Sequence, residues 1–197
     1  GETDPLNSDT DGDGLVDSVE IGIGTDPLDA DSDNDSIPDG LELSTGRDPL
    51  VADWAVSAGG SHSCALDDNG VTCWGRDVEG QATVPGLSSP MVVSTGGSHS
   101  CALDDYGVMC WGGSAQGQTT VPVLVNPVAV SAGGSHSCAL DDTSVVCWGL
   151  DTDGQSTVPV LVNPVAVSAG GSHSCALDDT GVVCWGLDTD GQSTVPV

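Results

Sequence analysis

The sequence predicts an all-β protein built from four copies of a 37-residue β unit, preceded by an irregular acidic segment. The cysteines, histidines and tryptophans of the unit each return every 37 residues without an insertion. Each unit also alternates small or apolar residues with polar ones between Gly/Asp turns, as short antiparallel strands do. Such a period indicates a small unit that is copied and stacked, each copy burying the face that its neighbour exposes. We therefore predict two domains, residues 1–52 and 53–197.

The first 52 residues follow a different period, of 22 residues, marked by a recurring Asp-Pro-Leu. Within it, an Asp-x-Asp-x-Asp-Gly-x-x-Asp-x-x-Glu motif starts at Asp9, and a near copy starts at Asp31. Both fill a 12-residue calcium-loop frame, with carboxylates at positions 1, 3, 5 and 9, a backbone carbonyl at 7 and a bidentate Glu at 12. The sequence predicts at least two calcium ions, held by Asp9, Asp11, Asp13, Leu15, Asp17 and Glu20 in the first loop and by Asp31, Asp33, Asp35, Ile37, Asp39 and Glu42 in the second.

The alternative for these residues is a solvated acidic linker. Random acidic sequence rarely places six ligands in register twice, which favours the calcium interpretation. The second loop is the less regular one, because Ser36 stands where the frame has glycine and Pro38 follows two residues later. Neither loop has the long flanking helices of a calcium sensor, since the segment 19–21 allows at most one short turn before Gly22 and Gly24.

The Asp-Pro-Leu sequence together with these loops resembles the thrombospondin type 3 repeats found in many secreted proteins. The resemblance covers about the first 50 residues and carries the same ligands over by position. It implies a compact, calcium-wrapped rod with little regular secondary structure.

The 37-residue unit contains a β-hairpin, residues 64–73, whose turn is placed at Asp68–Gly70. In that register its two cysteines oppose each other, close enough for a disulfide at a non-hydrogen-bonded pair. Zinc is the alternative, but each copy offers three ligands where structural zinc takes four. Disulfides imply an oxidising, extracytoplasmic compartment. The period favours the same pairing in every copy, giving Cys64–Cys73, Cys101–Cys110, Cys138–Cys147 and Cys175–Cys184.

Eight residues of the first copy recur in the other three with few changes, namely Gly59, His62, Leu66, Gly70, Trp74, Gly75, Gly80 and Gln81. This set resembles the repeat of the regulator of chromosome condensation family, over roughly residues 55–197. Family members usually form seven-bladed β-propellers, and they include a nucleotide-exchange factor for a small GTPase and a secreted inhibitor of β-lactamase. The resemblance implies propeller-type blades, although this chain has four copies and a cysteine pair in each.

The charge of the chain excludes some partners. It has 30 acidic residues against 2 basic ones and a net charge of −28. Nucleic-acid binding needs Lys or Arg to displace counterions, and anionic membranes attract the same residues. The apolar runs are too short to span a bilayer. We expect no nucleic-acid partner and no membrane insertion.

Catalysis is not expected either. Ser61, His62 and Asp67 lie close in sequence, but a catalytic triad converges on one pocket and this set occurs four times. A repeated histidine in a Gly-rich turn is more often a buried hydrogen-bonding group that fixes the turn. One tryptophan per copy is expected to pack in the core.

Two classes of function remain for a protein expected outside the cell or on its surface. The first is a structural module, rigidified by calcium and disulfides, that assembles head to tail with itself into a fibre, tube or surface layer. Its basis is the strand at 55–57, which has no preceding copy, because an uncovered terminal sheet is an association site. The second is a propeller-type binding module, an adhesin or inhibitor on a calcium-binding stalk, whose partner is another surface protein or a glycan.

Overall fold

A computed structural model describes residues 3–4, 6–33, 37–50, 55–67, 69–142 and 144–196. The chain divides into two compact units, residues 1–54 and 55–197. No helix in the described parts of the chain is long and apolar enough to cross a membrane.

The first unit contains two seven-residue helices, α1 (Asp17–Ile23) and α2 (Asp39–Thr45). Each begins at the ninth residue of its acidic loop. Helix α1 is longer than the single short turn that the sequence predicted, because it continues through Gly22. It ends at Gly24, whose left-handed backbone (φ 99°) lets its N–H bond back to the carbonyl of Glu20. The other described residues of this unit lie in turns, bends and irregular segments, in agreement with the little regular secondary structure that the resemblance implied.

The second unit consists of four three-stranded antiparallel sheets, each formed by consecutive strands. We call these sheets blades 1 to 4. The predicted all-β fold with four propeller-type repeats is confirmed. Blade 1 contains β1 (Ala55–Ala58), β2 (His62–Asp67) and β3 (Gly70–Gly75); blade 2 contains β4 (Val92–Thr95), β5 (His99–Asp104) and β6 (Gly107–Gly112); blade 3 contains β7 (Pro127–Ala132), β8 (His136–Asp141) and β9 (Ser144–Gly149); blade 4 contains β10 (Ala166–Ala169), β11 (His173–Asp178) and β12 (Gly181–Gly186).

Within each blade the hairpin register places two cysteines opposite each other, as in the Cys64↔Cys73 pair of β2 and β3. The two Cα atoms of each pair lie 4.0 to 4.1 Å apart, and a disulfide joins them in all four blades. In blade 2 the hairpin turn is made by Asp105 and Tyr106, between the paired Asp104 and Gly107. The corresponding turn residue of blade 1, Asp68, lies outside the described residues.

Alternation along the strands gives each blade two different faces. The Leu face of blade 1 carries His62, Cys64, Leu66, Val71 and Cys73, and its Trp face carries Val56, Ser63, Ala65 and Trp74. The same faces recur in the other blades at steps of 37 residues.

The hydrophobic core lies between blades and not within them. Leu103, on the Leu face of blade 2, packs with Val130 and Trp148, on the Trp face of blade 3. Leu140 of blade 3 packs in the same way with Trp185 of blade 4. Each blade therefore obtains its core from the next one, as expected for a stacked repeat.

Hydrogen bonds repeat at each of these interfaces. The imidazole Nε2 of His62, His99 and His136 lies 2.8 to 2.9 Å from a serine hydroxyl of the next blade. That serine donates its own proton to a glutamine carbonyl, as Ser100 does to Gln81 (2.9 Å), so Nε2 must be the donor to the serine. The histidine thus joins neighbouring blades, which differs from the predicted role of fixing its own turn. Burial lowers the pKa of His99 to about 4, and the imidazole stays neutral near pH 7.

Candidate metal centre and terminal blade faces

The first acidic loop curls so that its alternating aspartates converge. Asp9 Oδ1 accepts a hydrogen bond from the N–H of Gly12 (2.8 Å), and Asp13 Oδ1 accepts one from the N–H of Leu15 (2.6 Å). As a result, carboxylate oxygens of Asp9, Asp11 and Asp13 all lie within 4.8 Å of one another. Three like charges at this separation repel one another unless a cation neutralises them.

A second, deeper group shares one of these aspartates. Carboxylate oxygens of Asp13, Glu20 and Asp39 lie within 4.8 Å of one another. Glu20 is fully buried, and neither of its carboxylate oxygens has a hydrogen-bond partner among the described residues. Burial, followed by the charge of nearby aspartates, raises the pKa of Glu20 to about 7. A buried carboxylate of this kind is costly unless a cation or a proton neutralises it.

The two acidic loops are in direct contact at this group. The N–H of Gly40, the second residue of α2, donates to Asp13 Oδ2 (2.8 Å). A Cβ atom at position 40 would overlap the backbone carbonyl oxygen of Asp13, so the approach requires glycine there. Sequence reasoning assigned Asp39 to the second loop's ion, whereas the structure places it beside Asp13 and Glu20 of the first loop.

The ninth residue of each loop is held by a hydroxyl residue that sequence reasoning missed. Both carboxylate oxygens of Asp17 accept hydrogen bonds from Thr10, one from its N–H and one from its hydroxyl, each 2.9 Å long. Asp39 accepts the same two bonds from Ser32. The sequence signal for this contact was a hydroxyl residue at the second position of both loops, 22 residues apart.

The remaining predicted ligands are distributed as follows. Leu15, Asp31, Asp33 and Ile37 are half-buried, and Glu42 is fully buried like Glu20. Asp35 lies outside the described residues, together with Asn34 and Ser36. All the side-chain donors of both sets are carboxylate oxygens, which suits Ca²⁺ and is unlike the nitrogen and sulfur ligands that zinc prefers.

The two outer faces of the blade series are the other candidate site. Trp74, on the Trp face of blade 1, is 51% exposed, whereas its three counterparts are each 8% exposed. Leu177, on the Leu face of blade 4, is 44% exposed, against 4–5% for its counterparts. The prediction that every repeated tryptophan is a core residue is therefore wrong for Trp74. Its face is covered in the other blades by the preceding copy, and blade 1 follows no other blade in this sequence.

The Leu face of blade 4 contains an apolar groove of about 210 Å³. Its lining includes Leu177, Val182 and the disulfide-bonded Cys175, whose side chains lie on the Leu face. In blades 2 and 3 the same surface is filled by the next blade.

Known protein repeats match residues in both units of the chain. The regulator of chromosome condensation (RCC1) repeat matches residues 55–81, 128–155 and 165–192, and the bacterial TSP3 repeat matches residues 9–30. No curated protein sequence matches the chain.

Three solved structures illustrate the likeness. The CRINKLY WD40 ectodomain of the Arabidopsis thaliana receptor kinase ACR4 is 29% identical, with a TM-score of 0.55 over 68% of this chain and 50% of that one. The ectodomain of the Physcomitrella patens receptor kinase CR4 is 27% identical, with a TM-score of 0.60 over 76% and 46%. Prp20p from Saccharomyces cerevisiae, at 24% identity and a TM-score of 0.60 over 72% and 45%, shares the fold.

The chain spans about half the length of these solved chains. The matched residues overlap the first, third and fourth blades and, in the first unit, the first acidic loop and helix α1. The chain therefore carries propeller-type repeats that match the regulator of chromosome condensation repeat, after a segment that matches the bacterial TSP3 repeat.

Proposed function

We propose that this protein is an extracellular structural module that assembles head to tail with itself. The observation that carries the proposal is the exposure of both outer blade faces, whose inner counterparts form the core. Exposed apolar surface of this kind indicates an interaction site. Two different outer faces on one chain make a heterologous contact, which yields a ring or a filament according to its rotation.

Calcium rigidifies the first unit in this proposal. Asp9, Asp11, Asp13 and Glu20 would hold one ion, with Asp39 contributed by the second loop. The carboxylate of Glu20 is buried and has no hydrogen-bond partner among the described residues, which supports a cation at this place. A second ion would be held by the second loop, whose ligands are Asp31, Asp33, Asp35, the carbonyl of Ile37 and Glu42. When bound, calcium supplies the positive charge that these carboxylates need in order to pack together.

The blades have a structural role and no catalytic one in this proposal. At the three inner interfaces the repeated His, and the Ser that directly follows it in the repeat, are used in hydrogen bonds between neighbouring blades, as in the contact of His62 with Ser100. Four disulfides support an oxidising location outside the cytoplasm, where each staple stabilises a blade with little core of its own.

Sedimentation velocity over a wide range of protein concentration, with millimolar calcium and moderate salt, tests the assembly. We expect mass to increase with concentration, and electron microscopy to show rings or ordered filaments. A monomer at every concentration would overturn the proposal. Repeating the sedimentation run with a chelator shows whether assembly depends on calcium. We expect calcium to order the first unit and to have no direct role in the contacts between blades.

A binding module is the second candidate function. The match to regulator of chromosome condensation repeats and the likeness to two receptor-kinase ectodomains favour it. On this alternative, the outer faces are covered by further blades of a closed ring, and the partner is a surface protein or a glycan. A monodisperse particle that binds a glycan array or an extracellular protein, and that forms no polymer, would favour it over the structural module.

A further inference from the structure

We propose that the Leu face of blade 4 binds the Trp face of blade 1 of a second copy of this chain. The contact would reproduce the blade interface that already occurs three times within one chain. The inference rests on the head-to-tail assembly proposed above and names its two surfaces.

The apolar parts of the two faces are matched. Inside the chain, Leu140 and Val145 of one blade pack with Trp185 of the next. Their outer counterparts are Leu177 and Val182, both about half exposed, and Trp74 on the other outer face. Because Leu177 and Val182 repeat the residues of blade 3, the groove they line has the chemistry that accepts a tryptophan face at an inner interface.

The polar groups of the two faces are matched as well. At an inner interface, the histidine of one blade bonds to the serine of the next, and a glutamine carbonyl accepts from that serine and from the tryptophan N–H. On the outer faces the corresponding groups are His173 and Gln192 at one end, and Ser63 and Trp74 at the other. His173, Gln192 and Ser63 are each half-buried, whereas their inner counterparts are buried.

The backbone carries the same complementarity. The N–H of Gly60, Gly97 and Gly134 donates to a glycine carbonyl of the next blade, at 3.0 to 3.1 Å. A Cβ atom at any of these three positions would overlap a carbonyl oxygen of the next blade, whereas a Cβ atom at Gly171 meets nothing within 4 Å. The N–H of Gly171 is thus the donor that a further blade would engage, and the carbonyl of Gly59 on a second copy is its counterpart.

A second copy could bind either through the opposite face or through the identical face, and the contact between opposite faces satisfies more polar groups. Two Leu faces brought together would leave both Gln192 carbonyls without the serine and tryptophan donors that the equivalent carbonyl of Gln155 meets at an inner interface. The net charge of −28 opposes association at long range, so raised ionic strength should promote the contact.

Three single variants and one control test the contact by sedimentation. Leu177→Asp places a charge on the Leu face of blade 4, here called the tail face. Val56→Asp places one on the Trp face of blade 1, here called the head face, where Val56 is 77% exposed. Gly171→Ala adds one methyl group that has free space in the single chain and would overlap the second copy. Val160→Asp is the control, because Val160 and its inner counterpart Val123 are equally exposed, at 95%, and so lie on neither face.

We expect each face variant to raise the concentration for half-assembly by about tenfold or more, and the control to behave as wild type. An equimolar mixture of Leu177→Asp and Val56→Asp retains one intact face from each chain, so it should form 1:1 dimers and nothing larger. Circular dichroism and intact disulfides show that the variants are folded.

The experiment distinguishes a failure of the proposed assembly from a failure of the proposed pairing of faces. A monomeric wild type overturns the proposed assembly itself. A wild type that assembles, with face variants that assemble equally well, overturns only the pairing of these two faces. If the tail variant is monomeric while the head variant still assembles, the tail face contacts another surface, and the pairing is again overturned.

Discussion

Trp148 and Trp74 occupy the same position of the repeat but have different neighbours, so truncating each one measures what the neighbour contributes. Trp148 is 8% exposed, and its indole N–H donates to the carbonyl of Gln118 at 2.8 Å. Trp74 is 51% exposed. A tryptophan buries roughly 200 Å², which corresponds to about 5 kcal/mol when the side chain is fully covered.

We therefore expect Trp148→Ala to lower the free energy of unfolding by about 5 kcal/mol. Trp74→Ala removes about half of the area and should cost about 2 kcal/mol. Urea titrations followed by far-ultraviolet circular dichroism, with calcium present and at concentrations where the chain is monomeric, compare the two. Equal losses for the two variants would refute the view that the core lies between blades.

Three further predictions follow from the same structure. Burial lowers the pKa of His99 to about 4 from its ordinary value near 6.5, so the stability it confers is complete above pH 6.5 and is lost as the pH falls towards 4. In the His99→Gln variant, the free energy of unfolding should fall less steeply between pH 6.5 and 4 than in the wild type. An unchanged pH dependence would contradict the low pKa of His99. Replacing both Cys138 and Cys147 with serine should cost about 2 kcal/mol in a urea titration, and a loss near zero would show that the staple is dispensable. In calorimetric titration, Glu20→Gln should weaken calcium binding by roughly tenfold or more. Asp29→Asn, the control at an exposed carboxylate of the same unit, should leave the calcium affinity unchanged. Equal calcium affinities for the two variants would exclude Glu20 as a ligand.

Much of the blade unit was predictable because its determinants are local. A nine-residue spacing between cysteines leaves room for one hairpin register, which opposes the two side chains. The exposure of Trp74 was not predictable in this way, because its local sequence matches that of the buried tryptophans. The difference arises from whether a preceding blade supplies a Leu face, and that is a property of the stack.

The acidic unit shows the same division between local and tertiary information. The spacing of the loop predicted that Asp9, Asp11 and Asp13 converge, because alternating carboxylates in one turn point to the same centre. Their carboxylate oxygens lie within 4.8 Å of one another. The position of Asp39 beside Glu20 depends on the approach of Gly40 to the first loop, which no spacing within one loop specifies. The length of helix α1 was underestimated because Gly22 and Gly24 were together expected to end it, whereas the helix continues through Gly22 and only Gly24 adopts the left-handed conformation.

The three inner interfaces use equivalent residues, and this repetition has a consequence for folding. Residues 121–157 and 158–194 differ only at Ser144 and Gly181. A blade from one nascent chain can therefore take the place of the equivalent blade in another chain and lose few native contacts. Such exchange is a characteristic failure of tandem repeats with near-identical neighbours. The disulfide within each hairpin opposes it only in part, because it fixes the pairing of two strands but leaves the order of the blades unspecified.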